Sequence, residues 1–243
     1  MNKISLISES NNSTVLAEYK KINKTEAYYQ SEAALEKELI NTLIGQGYEK
    51  ININNEKELI SNLRKELEKL NNYHFSDREW NNFFAGVIAN KNDYIVEKTG
   101  LIQEDYKQEI TLDSGEKKNI YLIDKENIHK NHLQVINQYE VSGARDNRYD
   151  VTLLVNGLPL VHIELKRRGV PLQEAFNQIN RYQRDSFWAG SGLFEYIQLF
   201  VISNGTHTKY YSNTTRWQHI NEAGESDSRR SKKTSIEDRK SVV

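Results

Sequence analysis

Two apolar runs that meet at Asn156-Gly157 constrain the fold of this chain more than any other feature. Tyr149–Val155 and Leu158–Lys166 are rich in β-branched and aliphatic residues and are separated only by that pair. Asn-Gly is a preferred sequence for the tight turn that joins two antiparallel strands. The segment therefore predicts a β-hairpin.

Three charged residues interrupt this apolar hairpin. Glu164 and Lys166 are two residues apart, so their side chains leave the same face of a strand, and the hairpin brings Asp150 close to them. Two converging carboxylates suit a hard divalent cation such as Mg²⁺, and a neighbouring lysine can orient the attacking water or offset charge on a phosphate. The set therefore indicates phosphodiester hydrolysis, whereas a charged pair on a strand taken alone is most often a solvated surface.

The register of the hairpin decides whether the two acids can meet. A plain two-residue hairpin would place Asp150 opposite Ile163, and Glu164 would then fall on the other face of the sheet. A slip of one residue places both acids on one face. We therefore expect a three-residue loop or a bulge near Asn156–Pro159, where a glycine can adopt a left-handed conformation and a proline cannot donate to a ladder. The alternative is a strong twist or bend at Asp150 in place of the bulge.

Hydrophobic periodicity divides the remaining chain into a helical N-terminal part and a mixed C-terminal part. Amphipathic helices are predicted after the N-cap Ser31, ending near Gly47, over residues 59–70, and from the capping box that begins at Ser76. Further strands are predicted at Tyr106–Leu112, Ile120–Ile123, His132–Val141, Ile197–Ser203 and Thr206–Ser212, with a helix starting at Pro171. The pattern predicts an α/β fold of mixed α+β type, in which helices flank a mixed sheet.

Composition excludes several classes of protein. No window approaches the roughly 18 apolar residues of a membrane helix, and the N-terminus lacks the apolar core of a secretion signal. The absence of cysteine excludes disulfides and thiolate metal sites. With 33 Lys and Arg against 34 Asp and Glu, the chain cannot coat DNA by net charge alone, although a local basic groove stays possible. We expect a cytoplasmic protein without a membrane partner.

The helix after the hairpin carries two polar residues of interest. Gln178 and Tyr182 are four apart and share one helical face, and the stripe of Phe176 and Ile179 should bury that helix against the sheet. Part of the Gln178–Tyr182 row should therefore border the strand ends. The alternatives are core packing for Tyr182 and a surface amide for Gln178.

These residues together resemble a known nuclease family. Asp150, Glu164-Leu165-Lys166 and the Gln178–Tyr182 segment resemble the PD-(D/E)xK signature with the QxxxY extension of RecB-like nucleases, although Tyr149 stands where the motif name has proline. More closely, NRYDVTLLVNGLPLVHIELKRRG, EAFNQINRY and LFVISNGT resemble the N-terminal endonuclease domain of the HsdR subunit of type I restriction–modification enzymes. The resemblance runs from about Tyr29 to Thr215 and implies a restriction-endonuclease-like core.

The resemblance implies a metal-dependent catalytic centre on the hairpin. Asp150 and Glu164 would bind Mg²⁺, with the Leu165 carbonyl as a further ligand, and Lys166 would be catalytic. Double-stranded DNA would be the substrate, which makes the expected protein a type I site-specific deoxyribonuclease.

The resemblance also assigns residues outside the hairpin. Gln178 and Tyr182 would position DNA or the lysine–metal centre. LEKELINTLIGQGY resembles the first core helix of related nucleases, with Glu36 as the matching acid, and a solvated helix glutamate is the alternative. His162 shares the strand parity of Glu164, but a lone strand histidine is usually packed or solvated. Arginines near the site that suit DNA phosphates are Arg145, Arg148, Arg167, Arg168, Arg181 and Arg184.

The chain divides into an irregular arm (1–28), the endonuclease domain (29–220) and a polar tail (221–243) that is either disordered or the cut end of a longer chain. The resemblance implies modification and specificity subunits as partners and ATP-driven motor domains in the full subunit. Because the chain has no GxxxxGK[ST] phosphate loop, we expect a fragment with the nuclease and without the motor. The alternatives are a stand-alone repair or Holliday-junction nuclease, and a catalytically silent DNA-binding or docking module.

Overall fold

The computed structural model describes residues 3–9, 15–20, 30–141, 147–187 and 190–213. The predictions for the tail 221–243, for Arg145 and for the Arg184 side chain lie outside the described residues. In chain order the strands are β1 (Lys3–Glu9), β2 (Val15–Lys20), β3 (Glu49–Lys50), β4 (Lys107–Thr111), β5 (Lys117–Tyr121), β6 (Leu133–Val141), β7 (Asn147–Val155), β8 (Leu158–Leu165), β9 (Leu199–Ser203) and β10 (Thr208–Ser212). The α-helices are α1 (Glu32–Gly45), α2 (Glu56–Asn71), α3 (Asp77–Phe83), α4 (Ile95–Gln103) and α5 (Leu172–Asp185).

A mixed six-stranded sheet in the order β10-β9-β8-β7-β6-β3 forms the centre of the fold. The pairs β8/β9 and β3/β6 are parallel, and the other neighbours are antiparallel. The crossover from β8 to its parallel neighbour β9 runs through α5, as such a connection requires. The predicted α/β fold with a mixed sheet flanked by helices is confirmed.

The helix termini follow the predicted capping signals. Ser31 accepts from the backbone N–H of Ala34, and the chain leaves α1 through Gly47 at a left-handed φ of 97°. Ser76 and Glu79 form the predicted capping box at the start of α3. Directly after α3 the chain continues as a π-helical turn, Phe84–Ile88, which the periodicity did not indicate.

The N-terminal arm differs from its prediction. We expected residues 1–28 to form an irregular, partly ordered arm, whereas β1 and β2 within it pair antiparallel, with a bulge between Leu6 and Ser8. The alternation of apolar and polar residues in β1 is only a few residues long, so it did not stand out against the surrounding Asn and Ser. Backbone pairing between two such short runs was therefore not visible in the sequence.

Apolar side chains fill both faces of the central sheet. Leu35, Ile40 and Leu43 of α1 pack on one face against residues of β6, β7 and β8. The opposite face is covered by α5 and by the helices α2, α3 and α4, together with the small β4–β5 sheet. Among the described residues, no helix is long and apolar enough to cross a membrane.

Candidate active site

The β7–β8 hairpin contains the predicted register slip. Asn156 and Gly157 form a plain two-residue turn with φ of 50° and 82°, so the alternative of a three-residue loop is wrong. Val155 pairs with Leu158 and Leu154 with Pro159, but Leu153 then pairs with Val161, which leaves Leu160 as the extra residue of a bulge. The predicted bulge is confirmed directly after Pro159.

Gly157 is required at this turn for two reasons. Its positive φ is unfavourable for residues with a side chain, and a Cβ there would lie 2.6 Å from the backbone Cα of Leu63 in α2. The turn therefore packs directly against α2, and the bulge lies three residues further along, in β8.

A second irregularity lies on the neighbouring strand. Asn137 pairs with Val151 and Tyr139 with Tyr149, so Gln138 lies opposite Asp150 between them, and Gln138 has a left-handed φ of 55°. Val151 packs on the α1 face, whereas Tyr149 packs on the opposite face, although alternation would place them together. The regular alternation of side chains between the two faces of the sheet is therefore interrupted at Asp150.

The two irregularities bring Asp150 to the end of β8. Asp150 Oδ2 accepts a hydrogen bond of 2.9 Å from the backbone N–H of Leu165. Lys166 Nζ donates to Glu164 Oε1 at 3.1 Å. The structure thus brings together the three charged residues that the sequence singled out.

Burial sets the protonation of both acids. Burial, together with the neighbouring Glu164 charge, raises the pKa of Asp150 from 3.8 to about 7, partly opposed by the Leu165 N–H. Burial raises the pKa of Glu164 from 4.5 to about 7 as well, against the lowering effect of Lys166. Two buried carboxyls with raised pKa values favour a bound cation, because a cation offsets the charge that burial disfavours.

The donor set also fits a hard cation chemically. Glu164 is fully buried, and its Oε2 atom has no hydrogen-bond partner among the described residues. Carboxylate oxygens are the ligands that Mg²⁺ prefers. Within the described ranges no group of three or more His, Asp or Glu side chains is placed to hold a metal, so the two acids are the protein ligands available, apart from main-chain oxygens such as that of Leu165.

Gln178 and Tyr182 lie where the helix pattern predicted, beside the strand ends. Gln178 Nε2 donates to the Tyr182 hydroxyl, which donates in turn to the backbone carbonyl of Arg148 at 2.8 Å. Tyr182 is buried, and burial together with the charge of Glu164 raises its pKa, so the hydroxyl keeps its proton. Tyr182 is therefore both a core residue and a support for the strand end that carries Asp150.

Glu36 has partners other than the two hairpin acids. Its carboxylate accepts from Asn137 Nδ2 at 2.6 Å and from Gln138 Nε2, so it contacts the left-handed residue opposite Asp150. One turn earlier in α1, Glu32 accepts from the backbone N–H of Arg167 at 3.2 Å, and its charge contributes to the raised pKa of Glu164. The sequence reasoning missed Glu32, although its four-residue spacing from Glu36 places both on one helical face.

The described arginines of the predicted set are all exposed. Arg167 and Arg168 follow Lys166 directly, and Arg148 lies two residues before Asp150. Arg181 lies over the Tyr182 ring, with its guanidinium carbon 5.5 Å from the ring centroid. These four exposed arginines thus lie close in sequence to Asp150, Lys166 or Tyr182.

Comparison with known proteins identifies the family. Residues 29–219 match the family described as the type I restriction enzyme R protein N terminus. The chain is 50% identical over 211 residues to the type I restriction enzyme EcoprrI endonuclease subunit of Escherichia coli. The aligned segment covers 86% of this chain and 67% of that protein. It is 41% identical over 192 residues to the SauCOLORF180P endonuclease subunit of Staphylococcus aureus, and that aligned segment covers 76% of this chain and 20% of that protein.

A more distant relative occurs in an archaeon. The putative type I restriction enzyme MjaIXP endonuclease subunit of Methanocaldococcus jannaschii is 35% identical over 116 residues. The chain thus spans about two thirds of the E. coli relative and a fifth of the S. aureus relative. It belongs to the family of type I restriction enzyme R protein N-terminal domains.

Proposed function

We propose that this chain is the nuclease domain of a type I restriction R subunit and hydrolyses phosphodiester bonds of double-stranded DNA with Mg²⁺. The observation that carries the proposal is the meeting of Asp150 and Glu164 beside Lys166, where burial raises the pKa of both carboxyls. Family membership supports the same reading, because the relatives are named as endonuclease subunits.

Asp150 and Glu164 would hold the metal ion, with the Leu165 carbonyl as a further ligand. When bound there, Mg²⁺ would lower the pKa of a water molecule and offset negative charge on the phosphate. Among the described residues, Lys166 and more remote basic groups offset the charges of the two acids, but burial still raises both pKa values. A cation bound beside the acids would supply the missing positive charge.

Lys166 would act on the phosphate directly. Its ammonium lies 3.1 Å from Glu164 Oε1, and its side chain is 12% exposed, so it contacts the buried acid and still reaches solvent. A lysine there can donate to a phosphate oxygen and stabilise the charge that grows in the transition state. The exposed Arg148, Arg167, Arg168 and Arg181 would contact the DNA backbone around it.

Gln178, Tyr182 and Glu36 would be positioning residues. Gln178 and Tyr182 support the carbonyl of Arg148, and Glu36 holds Gln138 opposite Asp150. Both supports act on the strand segment that presents Asp150. In the complete enzyme, modification and specificity subunits would select the DNA, and ATP-driven motor domains of the R subunit would act before cleavage.

The test is plasmid cleavage by the R subunit assembled with its modification and specificity subunits, with ATP and Mg²⁺ present. Asp150→Ala should abolish cleavage while ATP hydrolysis continues. Glu140→Ala, at an exposed acid on β6, is the matched control and should cleave as the wild type does. Cleavage by the Asp150→Ala enzyme at the wild-type rate would refute the assignment, and cleavage without partners or ATP would favour a stand-alone nuclease.

A further inference from the structure

His162 lies at the back of the proposed metal site. It precedes Glu164 by two residues on β8 and is fully buried. The rings of Tyr149, Tyr182 and Phe187 surround its imidazole in edge-on contacts, with centroid separations of 5.5, 6.0 and 6.0 Å. This packing restricts the rotation of the imidazole, so the direction of its two nitrogens is set by the core.

One of those nitrogens faces Glu164. His162 Nε2 lies 3.5 Å from Glu164 Oε2, and in the described part of the chain neither atom has another hydrogen-bond partner apart from the Asp150 carboxyl, which contacts the Glu164 carboxyl. Buried polar atoms without partners are rare, since each costs free energy that a bond would recover. The separation is at the upper limit of hydrogen-bond lengths, so a small rotation of the carboxylate completes the bond.

The other ring nitrogen faces a hydroxyl group that can donate to it. His162 Nδ1 lies 3.5 Å from the hydroxyl of Thr152, which is also buried. A hydroxyl that donates to Nδ1 leaves the ring proton of a neutral imidazole on Nε2, where it points to Glu164. Thr152 is thus compatible with the tautomer that donates to the carboxylate, and the Glu164 acceptor beside Nε2 is what favours that tautomer.

We propose that His162 is a positioning residue that holds Glu164 Oε2 through its Nε2–H, while Lys166 holds Oε1. The inference rests on the proposed function, because the orientation of Glu164 matters to catalysis only if Glu164 binds a cation. A group that orders a ligating carboxylate in advance raises metal affinity, and the loss of such a partner typically costs about 10–100-fold. No contact of His162 with substrate is implied.

The test measures Mn²⁺ binding to the R subunit by isothermal titration calorimetry, in parallel with thermal unfolding. His162→Gln and His162→Asn form a matched pair of buried amides. Glutamine places its NH₂ group near the position of Nε2 and can reach Glu164, whereas the shorter asparagine cannot. We expect His162→Asn to weaken Mn²⁺ binding about tenfold or more, and His162→Gln to stay within about threefold of the wild type.

A packing role alone would lower the unfolding temperature of both variants and leave their Mn²⁺ affinities alike, which would overturn the inference. Should His162→Asn fail to fold, Thr152→Val provides the second measurement. We expect it to weaken Mn²⁺ binding severalfold, and wild-type affinity in Thr152→Val would then count against the proposed tautomer and positioning. Glu164→Ala separates the two proposals, since it must lose Mn²⁺ binding if the proposed function holds. Wild-type protein that binds no Mn²⁺ would refute the proposed function itself.

Discussion

Two buried clusters of acids and histidine lie on this sheet, and they are satisfied to different degrees. The first is the site cluster, Asp150, Glu164 and His162. The second lies where β6 begins, where Glu66 Oε2 is 2.7 Å from His132 Nδ1 and Glu66 Oε1 is 3.4 Å from Gln134 Nε2. Both clusters bury a glutamate to 2% exposure or less.

The difference lies in the partners of the buried oxygens. Both carboxylate oxygens of Glu66 have side-chain partners, and His132 also reaches Glu49 at 3.3 Å. In the site cluster, Glu164 Oε2 and His162 Nε2 lie 3.5 Å apart without completing a hydrogen bond, and the pKa values of both acids are raised. A fully paired buried network stabilises the fold, whereas an unpaired one is the arrangement expected of a site that awaits a ligand.

The largest expected effect separates the two clusters by activity. Glu164→Ala or Lys166→Ala should lower DNA cleavage by the assembled enzyme by at least about 10³-fold, because charge stabilisation in the transition state is lost. Glu66→Ala should keep wild-type cleavage at a temperature where it is folded. Equal losses of cleavage in the Glu164→Ala and Glu66→Ala enzymes would show that the two clusters do not differ in their role in catalysis.

The second prediction concerns stability, where we expect the larger effect from the Glu66 cluster and the smaller one from the site cluster. Glu66→Ala leaves His132 and Gln134 without their buried acceptor and should cost roughly 2–4 kcal/mol in the free energy of unfolding. Urea denaturation of the metal-free protein measures this cost. Glu164→Ala should cost less in the same experiment, because it removes a buried charge whose pKa is already raised. A larger loss for Glu164→Ala would contradict the comparison.

The third prediction concerns pH. Because the pKa of Asp150 rises from 3.8 in the unfolded chain to about 7 on folding, the folded protein binds more protons between these values and loses stability as pH rises through that interval. Asp150→Asn lacks this charge and should stabilise the metal-free protein by roughly 1–3 kcal/mol above pH 7. The gain should vanish towards pH 4. Unfolding temperatures recorded from pH 4 to 8 check it, and a gain that does not depend on pH would exclude the carboxylate as its cause.

The fourth prediction concerns the tyrosine that supports the site. Tyr182→Phe keeps the ring in the core but removes the hydrogen bond to the Arg148 carbonyl and the one that the hydroxyl accepts from Gln178. Since a single neutral hydrogen bond is worth about 1 kcal/mol, cleavage should fall about fivefold while Mn²⁺ binding persists. A variant that melts earlier but cleaves normally would show that Tyr182 serves packing only.

The smallest expected effect tests the strand irregularity beside Asp150. Gln138→Ala and Gln138→Gly both remove the side chain that contacts Glu36, but only glycine adopts a φ of 55° without strain. Gln138→Gly should therefore be more stable than Gln138→Ala by about 1 kcal/mol. Alanine as stable as glycine would mean that the strand relaxes to ordinary geometry when the Glu36 contact is lost.

Much of the local structure could be read from the sequence because the signals are local. Ser31 and Ser76 cap the helices they precede, and Asn156-Gly157 turns the hairpin. The spacing of Glu164 and Lys166 on a strand is enough to place both on one face. The need for a register slip, or for a strong twist or bend at Asp150, also followed from the sequence alone, since a regular two-residue hairpin keeps the two acids on opposite faces.

The remaining features depend on contacts between residues far apart in the chain. The bulge formed at Leu160 while the turn stayed regular, and α2 packs so closely on Gly157 that the turn has little room. The left-handed Gln138 is held by Glu36, about a hundred residues away, and the proximity of Glu32 to the site depends on how α1 packs on the sheet. Capping, turn and parity signals act within a few residues, so the sequence by itself determined the capped helices, the β7–β8 hairpin and the pair Glu164–Lys166. Only tertiary packing decided where the strands deform to bring Asp150 to that pair. It also decided which buried atoms are left without partners. Both outcomes depend on which side chains meet across the sheet.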